Sequence, residues 1–283
     1  MRTGREPAQD LRRGLLARKL AEELLDVLDL ERTLLEIVLL NVIFHGPETG
    51  IVYDTRVLTR RAFLQLAAAA AGQRRGKPRG SEFVFARLRY ESGDWDYNPK
   101  VAANVLDAVV QYTSIPVYRD EVVISAASNE LLAFPFLFMT GHKLVRFTAA
   151  ERDNLRRFAD GGGLLFSDDC NHDVNGLYAK SFEQEMQLTF PDAPLARLPG
   201  SHPLYRAFFT FAGGPPQTSH ELNGWGDNIV HDYLKGVEQS SRLAVLYSNK
   251  DYGCEWDYDW RNKRFLREDD TKFAVNIVVY TMS

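Results

Sequence analysis

The chain has 283 residues, 45% hydrophobic and 25% charged, with a formal charge of −4. That balance suits an ordinary globular protein with a core of normal size, and it gives no long-range attraction for nucleic acid, many of the Lys and Arg lying between Arg2 and Arg89 and leaving the rest of the chain acidic. Two cysteines, Cys170 and Cys254, exclude a disulfide scaffold and a four-thiolate zinc site, leaving a single disulfide open.

No apolar run reaches the roughly 18 residues of a membrane-spanning helix. From Leu11 to Phe44 apolar residues recur at helical spacing (Leu15, Leu16, Leu20, Leu24, Leu25, Leu28, Leu34, Leu35, Val38), with charges between them, which predicts one or two amphipathic helices. Thr59-Arg-Arg-Ala-Phe-Leu-Gln-Leu66, an alanine run to Ala71 and Gly72 then have the order of a twin-arginine export signal. The alternative is an alanine-rich helix that happens to open with two arginines. An export signal belongs at an N-terminus, and Val57 and Leu58 stand where an internal bacterial start codon would lie. Residues 1–56 are therefore expected to be an over-extended gene start, residues 57–73 the signal and residues 74–81 a basic Pro/Gly linker. This places the product in the periplasm or otherwise outside the cytoplasm; if Met1 is the true start, the product is cytoplasmic.

Residues 82–283 are expected to form one α/β domain. Glu82 to Tyr90 reads as a strand, and Asn98-Pro99 starts a helix whose buried face is Val101, Val105, Leu106, Val109 and Val110. Ile115 to Ile124 supplies extended segments, and Phe134 to Thr140 a strand covered on both faces. Thr148-Ala-Ala-Glu151 is a capping box for a helix that stops at Gly161-Gly-Gly163, before a strand at Leu164 to Asp168. Cys170 to Gln239 predicts short helices and loops over one edge. Leu243 to Tyr247 and Phe273 to Tyr280 read as two further strands. Alternating strands and helices predict a three-layer, doubly wound, mostly parallel sheet of flavodoxin-like type, which binds ligands outside the carboxyl ends of its strands.

Several phrases together resemble the domain-of-unknown-function 4159 family over roughly residues 82–283: Gly93-Asp-Trp95, Phe134 to His142, Thr148 to Glu151, Gly161 to Asp169, His202-Pro-Leu-Tyr205 and Asn276 to Tyr280. The resemblance implies a class I glutamine amidotransferase-like fold with no established activity. Genes of the family often lie near those of von Willebrand A-domain proteins and MoxR-type ATPases, so the resemblance implies partners among other envelope proteins, von Willebrand A-domain proteins included.

In an amidotransferase the nucleophilic cysteine sits on a tight turn after a strand, with a His-x-Glu pair later. Here Asp168 or Asp169 occupies the expected elbow, Cys170 comes late, and none of His202, His220 and His231 begins a His-x-Glu. A strained elbow needs small neighbours, which Asp and Asn are not, so Cys170 reads as a packed thiol rather than a nucleophile. Asp168, Asp169, His172 and Asp173 are the densest set of potential metal ligands. Neighbouring strand residues point to opposite faces, however, and Asp at a strand end commonly caps the next turn. His142 follows a strand end, and His202 reads as a turn residue. Asp251 to Trp260 is acidic and aromatic, suited to sugars or cations or simply to covering a sheet edge. Asp94, Trp95, Asp168 and Asp251 follow strands and are expected near one rim, and Glu255 of the acidic aromatic stretch is a further ligand-binding candidate. No phosphate-loop motif appears and no cofactor is implied. The sequence thus favours an exported, non-enzymatic binding or assembly module, with a metal-dependent hydrolase of a cell-envelope polymer, centred on Asp168, Asp169 and His172, as the alternative.

Overall fold

The computed structural model describes Pro78, residues 80–257 and residues 268–283. The expected N-terminal helices, the twin-arginine motif and most of the linker lie outside the described residues, as do Asp259 and Trp260. Seven strands form one sheet: β1 (Ala86–Arg89), β2 (Val122–Ser125), β3 (Phe136–Gly141), β4 (Leu164–Asp169), β5 (Ala196–Arg197), β6 (Lys235–Gln239) and β7 (Arg242–Ser248). Their order is β2-β1-β3-β4-β7-β6-β5, parallel from β2 to β7 with an antiparallel pairing of β6 to β7 and of β5 to β6. The helices are α1 (Val101–Tyr112), α2 (Ala149–Asp160), α3 (Leu177–Thr189), α4 (Ser219–Leu222), α5 (Tyr252–Asp257) and α6 (Glu268–Met282).

β3 and β4 are buried at every position, as strands covered on both faces must be. Their side chains alternate between two cores. Phe136, Phe138, Leu164 and Phe166 pack with Val101, Val105, Phe273 and Ile277 of α1 and α6. Leu137, Met139 and Leu165 pack with Leu155, Phe158 and Phe182 of α2 and α3. The result is the three-layer, mostly parallel α/β architecture. The Thr148–Glu151 capping box is present in both directions and α2 ends at Gly161. Among the described residues no helix is long and apolar enough to cross a membrane.

Four expectations about elements need correction. Phe273 to Tyr280 is not a strand but part of α6. A short run of β-branched residues has no period that tells a buried helix from a strand. Here the acidic Glu268-Asp269-Asp270 supplies a favourable first helical turn. Within the run Asn276 is wholly buried: its amide donates to Leu204 O and Phe209 O, and its Oδ1 accepts from Phe209 N at 2.7 Å, holding a neighbouring loop. Second, α1 starts at Val101, with Asn98 in the left-handed region (φ 59°) before it. Third, Val110 of α1 is exposed. Fourth, the stretch after Cys170 contains the 13-residue α3, whose Phe182 and Met186 line the second core. It also contains β6, joined to β7 by Ser240-Ser241 with both residues at positive φ. Asn-Gly is the usual sequence sign of such a turn, so the hairpin carried no signal.

Candidate functional site

The carboxyl ends of β3, β4 and β7 come together where Gly141 pairs with Asp169 and Asp168 with Ser248. Two segments arch over them. The loop after β1 is held from below by Arg87, which is almost wholly buried. Its guanidinium pairs with Glu121 at 2.6 Å and donates to the carbonyls of Trp95, Tyr97 and Asn98. The segment around α4 is pinned by Lys250, which reaches both oxygens of Glu221 at 2.6 Å, both side chains being buried. Glu221 also completes the capping box of α4 and accepts from His231 N, so one carboxylate anchors the whole cover.

The sharp strand-to-helix turn follows β7, not β4. Asp251 sits there with φ 62°, a conformation that costs a non-glycine residue about 1–2 kcal/mol. The next amides, Tyr252 N and Gly253 N, both donate to Asp168, at 3.2 and 2.6 Å. A Cβ on Gly253 would come within 2.8 Å of Asn98 Nδ2 and 3.0 Å of Asp168 Oδ2, so only glycine lets the turn approach so closely. Burial raises the Asp168 carboxyl to about 6, opposed by the Gly253 amide, Ser248 and the Tyr252 amide. Asp169 points the other way, as alternation requires. Its Oδ1 caps Asn171 N, and burial pushes it up to about 8.

Around this turn lies a cluster that only partly coincides with the residues singled out above. Cys170 Sγ is 2.9 Å from Thr140 Oγ1 and accepts from Asn98 Nδ2 at 3.1 Å. Cys254 donates to Asn98 Oδ1 at 3.5 Å, and its backbone N donates to Asp251 Oδ1. One asparagine side chain therefore bridges the two thiols. His220 Nδ1 lies 3.4 Å from Asp251 Oδ2 and 3.5 Å from Glu255 Oε1, which also accepts from Ser219 N and Oγ. Burial drives the Cys170 thiol and the Asp251 carboxyl well up. The Cys254 thiol is lowered, first by its hydrogen bond with Cys170 and further by Asp251 and the charge of His220. Burial works against a charged His220, yet Glu255 and the Cys254 sulfur hold its pKa up.

The other expected residues divide. Asp94 and His142 meet: Asp94 accepts from the His142 and Lys143 amides and lies 3.0 Å from His142 Nδ1. These hydrogen bonds outweigh burial and lower the Asp94 carboxyl. Trp95 packs against the second core, leaving Tyr97, edge-on to His142, as the exposed ring of that loop. His202 is buried far from the site, near the start of β7: its Nδ1 accepts from Leu204 N, and its ring rests on Tyr280, whose hydroxyl accepts from Leu243 N. His172, at φ 49°, turns both ring nitrogens onto carbonyls, Asn249 O at 2.6 Å and Ile229 O at 3.0 Å. Both nitrogens thus face backbone oxygens, with Asp227 Oδ1 3.6 Å from Nε2, and His172, Asp227 and His231 make a close group of their own. The His172 ring stacks edge-on to His231, which is tied to Asp227 at 2.9 Å.

Sequence reasoning missed Asn98, Thr140, Arg87 and the Lys250–Glu221 pin. Their roles depend on neighbours 8 to 156 positions away. The elbow itself had a usable signal: a buried strand followed by Asp-Tyr-Gly, where an αL-tolerant residue and a glycine invite a tight turn.

No curated protein matches the chain. The family model described as "Domain of unknown function (DUF4159)" matches residues 84–282, the whole of the sheet and its helices. The chain is a member of the DUF4159 family.

Proposed function

We propose that this chain is a non-catalytic binding or assembly module, built on an amidotransferase-like scaffold and exported by the twin-arginine route. The observation that carries the reading is the Asp168 carboxylate seated on the Tyr252 and Gly253 amides. In a hydrolase or transferase of this architecture, amides beside the elbow would receive the oxyanion of the substrate. Here the protein's own carboxylate takes them, and the elbow residue is Asp251, no nucleophile of the thiol type. Cys170 is enclosed beneath Asn98 and Thr140. In support of a docking role, Leu222, Trp225, Ile229 and Val230 are all exposed on the cover above the strand ends, where an isolated soluble domain gains nothing from large apolar groups. Partners on the envelope side, von Willebrand A-domain proteins among them, suit such a surface. The reading of a metal-dependent hydrolase centred on Asp168, Asp169 and His172 has less support, because Asp168 and His172 are committed to backbone groups.

The test is turnover. The purified protein, offered glutamine and chromogenic amides, esters and glycosides, should give rates indistinguishable from those of its Cys170→Ala and Asp168→Ala variants. Turnover that either variant loses would overturn the reading.

A further inference from the structure

We propose that Cys170, Cys254, Asp251 and His220 form a closed site for one divalent cation of the zinc class. The two sulfurs and an Asp251 oxygen all lie within 4.8 Å of one another. Zinc–sulfur bonds of about 2.3 Å in a tetrahedron place two thiolates about 3.8 Å apart, so little movement closes them onto one ion. His220 lies outside that close group of three and is the candidate fourth donor, marked by a separate observation. His220 Nδ1 is buried, makes no hydrogen bond, and faces Asp251 Oδ2 at 3.4 Å and Glu255 Oε1 at 3.5 Å. Two ligands of one tetrahedral zinc stand about 3.3 Å apart when they are nitrogen and oxygen.

Charge argues in the same direction. Asp168, Asp251 and Glu255 are buried together, and burying carboxylates without a compensating cation is costly. Among the described residues no Lys or Arg pairs with any of them, Lys250 being committed to Glu221; their one cationic neighbour is His220, which faces Asp251 and Glu255 and would be neutral as a ligand, leaving the metal to supply the charge. Two thiols and an imidazole select a borderline-soft metal over Mg²⁺ or Ca²⁺. Asn98 Nδ2 and Thr140 Oγ1, already on Cys170 Sγ, are the outer hydrogen-bond partners that orient metal thiolates. Four protein donors leave no open position, so the site is structural. It would join the end of β4, the cover at α4 and the elbow before α5. On binding, two metal–sulfur bonds form as two S–H bonds break, and both protons leave to solvent. Affinity therefore falls as pH is lowered.

The full chain holds two cysteines in all, which makes a thiolate–metal spectrum diagnostic. The reduced chain, stripped with a chelator, is titrated with Co²⁺ and then Zn²⁺. One equivalent of Co²⁺ should bind and produce sulfur-to-metal charge-transfer absorption, which Zn²⁺ abolishes by displacement. Cys254→Ser, a partly exposed position, should remove the band while circular dichroism shows the fold intact. His220→Ala should weaken binding at least tenfold. Folded, reduced protein that takes up no stoichiometric metal would overturn the proposal. So would uptake without the charge-transfer band, uptake unchanged in Cys254→Ser, or a Cys170–Cys254 disulfide in protein taken directly from its source cells. None of these readouts depends on whether the chain turns over a substrate.

Discussion

His202 shows how a single side chain in this molecule is set by one backbone contact. Its neutral Nδ1 accepts from Leu204 N at the start of the turn Pro203–Arg206, and burial lowers its pKa although Glu238 lies 3.6 Å away. The unfolded ring takes up a proton near pH 6.5 and the folded ring only at lower pH. Below about 6.5 the unfolded state therefore binds more protons, and stability falls as pH falls through the folded value. His202→Asn keeps a capping acceptor that does not titrate. Urea midpoints measured from about pH 8 to 5 should fall less steeply for this variant than for the parent; parallel curves would show that His202 does not contribute. The histidine was legible in the sequence as a turn residue because Pro follows it. His142 and Asp94 were legible as strand-end residues, but not as partners, since 48 positions separate them.

At the scale of elements, the cover over the strand ends depends on the buried Lys250–Glu221 pair more than on its own four-residue helix. Burial pushes the Lys250 ammonium down while Glu221 opposes the shift. Removing one member of a buried pair leaves the other charge without compensation, at a cost of roughly 3–5 kcal/mol. Lys250→Met should thus lower unfolding stability in urea by about that amount, and adding Glu221→Leu should recover much of it. A double variant as unstable as the single one would mean that the carboxylate's contacts to Thr218 and His231 matter more than the pair. Sequence patterns were informative for elements with a capping box or uniform apolar character, as in α2, β3 and β4. They were uninformative for α6, where β-branched residues sit in a helix, and for the Ser240-Ser241 hairpin. In both, tertiary packing overrides local preference.

For the whole molecule, among the described residues both apolar cores draw on residues from Phe83 onward, the first on β3, β4 and β7 and the second on every strand but β5. If the export reading holds, the mature protein in fractionated source cells should begin near Gly72 and lie outside the cytoplasm. That shorter chain should unfold in one cooperative step. A chain recovered with Met1, or a truncated chain without a cooperative transition, would make the N-terminal residues part of the working protein. Composition, the strand–helix alternation and the glycine and proline punctuation were enough to determine a three-layer, mostly parallel α/β domain, because burial periodicity is a local property of the chain. The family could likewise be read from short phrases. What only the tertiary structure decided is the site: that the elbow follows β7, that Asp168 fills its amides, and that Cys170 and Cys254, 84 positions apart in sequence, face the same carboxylate. Convergence of this kind is set by sheet order, and sheet order depends on which crossovers bury both faces rather than on any local pattern.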